Sequence, residues 1–195
     1  MLNSVVVARD RWLKAGGRML PNTARVYAAP VDMSSYAEEH FAFWSNVVGF
    51  DMSNMAVLAA QRALSEPLIT DVQPSQLLAP AQQVAALDCQ TVTLAQLTRG
   101  ALGAELSTFT AARSGVCHGF VLFFAVGFPG GGPDGTAEAV QLSTAPDAPS
   151  THWKQTVIWL PEMLLATAGT STLACKLSLR SDEEQPRMCV LDLEM

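Results

Sequence analysis

The sequence is poor in charged residues, and this shortage excludes several classes of partner. Only 15% of the 195 residues are charged, and the formal net charge is −6. An acidic surface disfavours non-specific binding to nucleic acid and to anionic membranes. The longest apolar run, residues 119–128, is too short to cross a bilayer as a helix. Because nearly half of the residues are apolar, we expect a folded protein. From the charge and the short apolar run, we expect it to be soluble and to make no direct contact with nucleic acid or a membrane.

Cysteine pairs and histidine clusters are also lacking. The sequence contains four cysteines and three histidines, all widely spaced: Cys89, Cys117, Cys175, Cys189, His40, His118 and His152. None has the short Cys-x-x-Cys or His-x-x-x-His spacing of a zinc site, so no metal is predicted. We expect buried free thiols in a reducing, intracellular compartment. His118 heads an apolar strand pattern and is expected in the core or at its rim, whereas His40 is expected in solvent.

A helix is predicted at the start of the chain. Apolar residues recur at helical spacing from Leu2 to Leu13, and Gly16-Gly17 follows as a stop signal. Arg9 lies within the apolar pattern, so the segment is not typical of a signal peptide. Because the helix begins at the first residue, we expect the chain to be the tail of a longer protein. Residues 18–30 are predicted to form two short extended pieces around a turn.

Residues 36–68 are predicted to form a pair of short helices rich in large apolar side chains. Gly49 interrupts the helical spacing, and Glu66-Pro67 ends it. The large apolar residues are Phe41, Phe43, Trp44, Phe50, Met52 and Met55. A surface helical pair with such side chains needs something to cover it. Two interpretations stay open: the pair packs on its own domain, or it contacts a second subunit or domain.

From residue 71 onward the pattern is that of β-structure. The predicted strands are 84–89, 105–111, 118–128, 139–143, 155–160, 172–179 and 188–193. Segment 118–128 is almost continuously apolar, as in a strand that is buried on both faces. Turn residues separate the segments. The predicted fold class is therefore mainly β, as a barrel or sandwich with the helical pair inserted near its start.

Three kinds of site can be weighed against the residues present. The glycine stretch 130–135 is flanked by prolines and followed by a strand pattern, so a hairpin turn is expected rather than a phosphate-binding loop. Ser150 and Thr151 adjoin His152, but adjacent residues rarely form a catalytic pair. The remaining candidate is Thr151-His152-Trp153, because a His can hold a carboxylate and a Trp can cover a cation. The alternative is structural: a buried Trp and a His that caps a turn.

Taken together, these segments resemble the protein arginine N-methyltransferases that produce asymmetric dimethylarginine. Residues 151–155 (Thr-His-Trp-Lys-Gln), preceded by residues 142–146, are similar to the family's THW loop. Residues 8–21 resemble the end of its cofactor domain and the linker proline. Residues 43–53 and 66–68 resemble its dimerisation arm. The resemblance covers nearly the whole chain.

The resemblance implies an antiparallel β-barrel with an inserted helical arm, preceded by a short helix-strand remnant of an α/β cofactor domain. Residues 1–20 would be that remnant, residues 21–195 the substrate-binding barrel, and about 34–70 the arm. In the family the arm grips the cofactor domain of a second subunit, which gives a homodimer. The residues expected at that contact are Phe41, Trp44, Phe50, Met52 and Met55.

The resemblance also implies roles for the loop. His152 would be the catalytic residue that braces a pair of glutamates around the substrate guanidinium. Trp153 would line the arginine pocket, Thr151 would shape the loop, and Met1 would crowd the acceptor nitrogen. The methyl donor would be S-adenosylmethionine. The substrates would be arginine-containing proteins, rich in Arg and Gly, in the nucleus or cytoplasm.

Two parts of the family's site are missing from the sequence: the glycine-rich cofactor motif and the paired glutamates. Glu38-Glu39 lies in the arm and cannot replace that pair. Methyl transfer needs the guanidinium oriented by those carboxylates, so we expect no bound cofactor and no activity of the chain alone. Three hypotheses follow: the barrel-and-arm portion of an arginine methyltransferase, a non-catalytic barrel-only partner of a catalytic subunit, or an unrelated β-barrel binding module.

Overall fold

Two antiparallel β-sheets form the framework of the computed structural model, which describes residues 2–98, 102–103, 105–130, 138–182, 184 and 189–194. The strands are β1 (Thr23–Val31), β2 (Leu68–Thr70), β3 (Gln82–Asp88), β4 (Leu106–Thr110), β5 (Gly115–Phe128), β6 (Val140–Ser143), β7 (Gln155–Ala166), β8 (Thr172–Ser181) and β9 (Cys189–Glu194). The first sheet has the order β2-β7-β5-β1-β3, with β6 also paired to β5. The second sheet has the order β4-β8-β9. The described part of the chain is therefore mainly β and antiparallel, as predicted.

The central strand of the first sheet is β5. It pairs with β1 along one edge, and along the other edge it pairs first with β7 and then with β6. The change of partner falls between Leu122, which lies opposite Thr156, and Ala125, which lies opposite Ser143. The chain that joins β6 to β7, residues 144–154, therefore leaves the sheet beside its central strand.

One apolar core contacts both sheets. Phe109 of β4, Phe120 of β5 and Leu177 of β8 are almost fully buried in the same cluster. The rings of Phe109 and Phe120 lie 5.7 Å apart. At Gly119 the backbones of β5 and β7 lie close together, because a Cβ at this position would overlap the carbonyl oxygen of Ile158. A side chain at this position would therefore push the two strands apart.

Four α-helices complete the described structure: α1 (Leu2–Trp12), α2 (Ser34–His40), α3 (Ser53–Ser65) and α4 (Leu94–Thr98). Helix α1 packs on α4 through Val6, which is 2% exposed and clusters with Val92 and Leu97. The predicted helix is therefore confirmed. The predicted strand of a helix-strand remnant is wrong, because residues 13–22 contain no strand. Gly16, at φ 76°, instead directs this segment through a turn before β1 begins.

Most of the predicted strands are present, and the misses have local causes. The prediction ended β7 at Leu160, directly before Pro161, a residue that lacks an N–H and is uncommon inside a sheet. In the structure β7 continues to Ala166, and residues 160–163 lie opposite His118 alone, where the pairing with β5 is interrupted. Strand β2 and helix α4 were not predicted, since three and five residues are too short for a periodic signal. The expected turn at residues 130–135 lies almost wholly outside the described residues.

The described cysteines are buried. Cys89, Cys117 and Cys175 are buried free thiols, as predicted, while the side chain of Cys189 lies outside the described part. Burial raises the pKa of all three thiols, that of Cys175 to about 11. Within the described ranges no helix has the length and apolar character required to span a membrane.

Candidate functional site

The segment 144–154, which we call the site loop, is fixed to the sheet where β5 changes partner. The backbone N–H of Thr144 donates to the Phe124 carbonyl at 2.9 Å, and its hydroxyl accepts from the Phe124 N–H at 3.0 Å. Thr144 is 1% exposed, so both bonds are shielded from water. The loop therefore begins from a rigid point beside the central strand.

A buried amide, Gln155, joins the two ends of the site loop. Its Nε2 donates to the Thr144 carbonyl at 2.8 Å, and its Oε1 accepts from the Val72 N–H at 2.8 Å. Gln155 is 6% exposed. Because buried polar groups need partners, this side chain satisfies two backbone groups that no strand pairs. It also ties the loop to the chain that leaves β2.

Two turns give the site loop its shape. Ala148 donates from its backbone to the Ala145 carbonyl at 2.9 Å, around Pro146, which suits this position because its φ is fixed. Lys154 donates from its backbone to the Thr151 carbonyl at 3.1 Å. Lys154 has a φ of 54°, a left-handed conformation that costs a non-glycine residue about 1 kcal/mol. The surrounding contacts hold that strained residue in place.

The side chains of His152 and Trp153 point into solvent side by side. Their ring centroids lie 4.0 Å apart, and Trp153 meets the edge of Phe124 at 5.9 Å. Trp153 remains 49% exposed. His152 makes no hydrogen bond or ion pair with any described residue, whereas the Thr151 hydroxyl is buried without a partner among them. The structural alternative of a buried Trp is therefore wrong, and the pair is open to a ligand.

One carboxylate lies beside both ends of the Thr151–Trp153 tripeptide. Asp71, directly after β2, accepts from the Ser150 hydroxyl at 3.0 Å and pairs with the Lys154 ammonium at 3.1 Å. The hydrogen bonds from Lys154 and Ser150 lower the pKa of Asp71. Asp71 was not predicted as a site residue. It reaches the site loop because β2 pairs with the start of β7, and a three-residue strand such as β2 leaves no recognisable pattern in the sequence.

The helical arm, residues 34–66, presents an unburied apolar surface. It comprises α2, a 3-10 turn at Ala42–Ser45 and α3, and none of the residues in these three elements is buried. The arm's apolar side chains that are at least 38% exposed are Phe43, Val48, Phe50, Met52, Met55, Val57, Leu58 and Leu64. Among the described residues, these side chains are therefore not covered by the arm's own domain.

The arm tip is a tight turn with unusual backbone geometry. Val47 and Phe50 exchange backbone hydrogen bonds at 2.8 and 3.0 Å, and Val48 and Gly49 between them have φ values of 52° and 88°. Two successive positive φ values are typical of a type I′ turn, which favours Asn-Gly. Val48 is a β-branched residue in a conformation that it rarely adopts, and it is 92% exposed. Exposed strain of this kind often marks a functional position.

The base of the arm around Tyr36 and Phe41, which we call the arm root, packs on β7 through an aromatic cluster. Trp159 lies 5.4 Å from Phe41, 5.7 Å from Tyr36 and 6.0 Å from His118, measured between ring centroids. His118 is 4% exposed, and its Nδ1 accepts from the Met33 N–H at 3.1 Å, which confirms the predicted core position. His40 is exposed, as predicted, although its ring stacks on Tyr36. A cavity of about 370 Å³ lies between the root and β7.

The predicted site residues fall into three groups. Thr151, His152 and Trp153 are brought together in the site loop. Phe50, Met52 and Met55 are exposed on the arm, whereas Phe41 and Trp44 are partly covered by their own chain. Met1 lies outside the described residues. The prediction missed Val48, Val57 and Leu58, whose exposure depends on how the two arm helices face each other.

The described residues do not form a metal or cofactor site. No three His, Cys, Asp or Glu side chains within the described ranges converge as metal ligands. The described glycines with positive φ are Gly16, Gly49, Gly103 and Gly169. None of them follows a strand and opens a helix, which is the arrangement that binds phosphate groups of a nucleotide.

Comparison with known proteins agrees with this geometry. Residues 22–195 match the family described as the arginine methyltransferase oligomerization subdomain. Protein arginine N-methyltransferase 8-B of Danio rerio is 34% identical over 193 residues, which is 96% of this chain and 41% of that protein. Protein arginine N-methyltransferase 1 of Chlamydomonas reinhardtii is 34% identical, with 96% of this chain and 50% of that protein covered.

A solved structure is similar over nearly the whole chain. It is the Trypanosoma brucei PRMT1 enzyme-prozyme heterotetrameric complex with AdoHcy, one chain of which superposes with a TM-score of 0.78 at 28% identity. The superposition covers 99% of this chain and 57% of that chain. The chain thus spans about half the length of the relatives that it matches. It belongs to the family of arginine methyltransferase oligomerization subdomains.

Proposed function

We propose that this chain is the substrate-binding and dimerisation portion of a protein arginine methyltransferase, an enzyme that dimethylates protein arginines asymmetrically. The observation that carries the proposal is the His152–Trp153 pair, exposed on a loop that is anchored beside the central strand. Binding sites need such rigid support, because a loosely held side chain loses binding free energy when it is ordered. Family membership supplies the class of substrate.

The two exposed rings suit complementary tasks at a guanidinium. A neutral imidazole can donate one N–H to a carboxylate, and His152 has no competing polar partner among the described residues. We infer that it braces the glutamate pair that holds the substrate. The indole face of Trp153 suits a guanidinium, since the cation is attracted to the ring quadrupole. Thr151 shapes the loop, and Met1 is proposed as the residue that crowds the acceptor nitrogen.

The proposed cofactor, S-adenosylmethionine, supplies the methyl group but has no fitting site in the described residues. No described glycine turn leads from a strand into a helix, as its binding loop would require. The work of this chain is therefore to position the arginine and to join subunits. Its substrates in this proposal are arginine-containing proteins rich in Arg and Gly.

The arm is proposed to be the dimerisation element. Its exposed residues, with Val48 and Phe50 at the tip, would pack against the cofactor domain of a second subunit. A strained, exposed valine is expected to contribute when it is buried on binding, as central apolar residues of interfaces do. The two sheets that share one core are proposed to form the family's barrel in residues 21–195, with the arm at about 34–70.

Residues 1–20 are proposed to belong with the preceding cofactor domain. The family match begins only at residue 22. Helix α1 buries Val6 against α4 but leaves Trp12 72% exposed and Val5 41% exposed. This apolar face has no cover in the described structure. A domain that precedes the sheets in the chain would cover it.

A comparison of two histidine variants tests the proposal. In a protein that joins this chain to its cofactor domain, His152→Ala should lower kcat for an Arg/Gly-rich peptide by about 10²-fold or more, as losses of catalytic positioning do. The matched control is His40→Ala, which removes an exposed histidine of the arm. Equal turnover of the parent and the His152→Ala variant would overturn the role of the loop.

A second candidate is a non-catalytic partner that pairs with a catalytic subunit through the arm. The observation that favours it is the similarity to a chain of an enzyme-prozyme complex. Calorimetry and activity assays of mixtures separate the two candidates. A partner of this kind would raise the activity of a catalytic relative when mixed with it, without binding S-adenosylmethionine itself.

A further inference from the structure

Asp71 is the only described side chain that bonds to both residues flanking the tripeptide Thr151–Trp153. Ser150 precedes the tripeptide and donates its hydroxyl to Oδ1 of Asp71 at 3.0 Å. Lys154 follows the tripeptide and places its Nζ 3.1 Å from Oδ2. The two oxygens of one carboxylate thus close the tripeptide into a short cycle of contacts. We call this arrangement the carboxylate clamp.

The clamp acts on the residue whose backbone is strained. Lys154 has a left-handed φ of 54°, and its N–H closes the turn onto the Thr151 carbonyl. The next residue along the chain, Gln155, is fixed on the buried side by its hydrogen bonds to Val72 and Thr144. On the solvent side, Asp71 is the described side chain that pairs with Lys154, and the two side chains are 44% and 45% exposed. Without the carboxylate, Lys154 can relax toward negative φ, and the rings that it follows would turn with it.

We propose that Asp71 is a positioning residue that holds the His152–Trp153 pair in its arginine-receiving orientation, an inference that rests on the proposed function. Asp71 itself lies one segment away, after β2, and touches neither ring. It acts through Ser150 and Lys154. The pairing of β2 with the start of β7 delivers the carboxylate to this place.

The test compares Asp71→Asn with a matched control in the 195-residue chain. Asparagine keeps an oxygen for Ser150 but turns an N–H₂ toward the Lys154 ammonium, so the second contact is lost. The control is Asp147→Asn, which removes the same charge from an exposed site-loop residue that has no polar side-chain contact in the described structure. Both variants have the same net charge, so long-range electrostatics cancel in the comparison.

Two NMR signals report on the clamp. Hydrogen exchange of the Lys154 amide should accelerate about two- to five-fold in Asp71→Asn, the range typical of partly exposed ion pairs. The Trp153 indole N–H resonance, assigned with Trp153→Phe, should shift because its stacking on His152 changes. Asp147→Asn should leave both signals unchanged. If Asp71→Asn also leaves both signals unchanged, the proposal is overturned.

A charge reversal separates positioning from general stability. The double variant Asp71→Lys with Lys154→Glu should move the indole shift back toward its parental value, because the ion pair is rebuilt with its signs exchanged while the hydrogen bond that Asp71 accepts from Ser150 is not. Lack of restoration, with the fold intact by circular dichroism, would count against the clamp. An Arg/Gly-rich peptide added to a protein that joins this chain to its cofactor domain then tests the site. Failure of the peptide to move the Trp153 signal, with the clamp behaving as described, would refute the proposed function and leave the loop-positioning result standing.

Discussion

Replacement of Gln155 by leucine removes the internal support of the site loop at nearly constant volume. The substitution leaves two buried backbone groups without partners, the Val72 N–H and the Thr144 carbonyl, which Gln155 now meets at 2.8 Å each. Each orphaned group costs about 1–3 kcal/mol. Burial of the leucine side chain returns about 1–2 kcal/mol. The two losses less this gain amount to about 0–5 kcal/mol, and we expect Gln155→Leu to lower the free energy of unfolding by about 2–3 kcal/mol, the middle of that range.

Urea unfolding followed by circular dichroism measures this loss. Gln141→Leu is the matched control, since Gln141 is exposed on β6 and makes no side-chain hydrogen bond within the described residues. Its unfolding free energy should change by less than about 0.5 kcal/mol. If Gln155→Leu and Gln141→Leu have equal stability, the buried amide does not support the loop.

Gln155→Glu adds a pH signature to the same argument. A protonated glutamic acid can donate to the Thr144 carbonyl and accept from Val72, but an ionised one repels that carbonyl. The folded pKa of the new group should therefore lie above its usual value of about 4.3. The variant should be most stable below that pH and should lose stability as pH rises through the folded pKa. Stability that does not change with pH relative to the parent would contradict this reading of the site.

Three further outcomes are expected. Trp159→Ala should destabilise the fold by about 2–4 kcal/mol and accelerate hydrogen exchange in α2 before β1, because the arm root packs on this ring; Trp12→Ala, at an exposed position, should do neither. Cys175→Ala should lower the free energy of unfolding by about 1 kcal/mol at neutral pH. This difference in stability should shrink as pH rises from 9 toward about 11, because the thiol of the parent then ionises in the unfolded chain but stays protonated in the folded one. The stabilising contribution of Asp71, whose pKa is lowered, should be complete above pH 3.8 and fade as pH falls through the folded value; a constant gap between the parent and Asp71→Asn in acid would refute it.

The sequence predicted the framework well because long strands have strong local signals. The nearly continuous apolar segment of β5 and the alternation in β8 directly reflect burial on two faces and on one face. The helical arm was predicted from its spacing, and its exposed apolar residues favour, but do not test, contact with another domain or subunit. Local pattern was less reliable where proline lies within a strand, since the prediction ended β7 before Pro161 and read β1 only as part of two short extended pieces.

The supports of the site could not be predicted, because they depend on long-range pairing. Asp71 lies 83 positions before its partner Lys154, and Val72 lies 83 positions before its partner Gln155. The pairing of the short strand β2 with β7 brings both pairs together. A polar residue such as Gln155 at a strand entrance is ordinarily assigned to the surface. The sequence thus located the loop and its candidate residues, while the residues that hold the loop in place could be found only from the fold.

Association through the arm tests the central claim most directly. The chain should form a complex with a full-length arginine methyltransferase of its family, observed by sedimentation velocity. Val48→Asn should weaken this complex about ten-fold or more, as loss of a central apolar contact does. The same variant should be at least as stable as the parent, because Asn-Gly suits the type I′ turn better than Val-Gly.

Val140→Asn is the control, since it alters an exposed valine of β6 outside the arm. The parent and the Val140→Asn variant should bind equally, and only Val48→Asn should lose the complex. Absence of any complex with the parent chain, or an affinity that Val48→Asn leaves unchanged, would refute the proposed role of the arm.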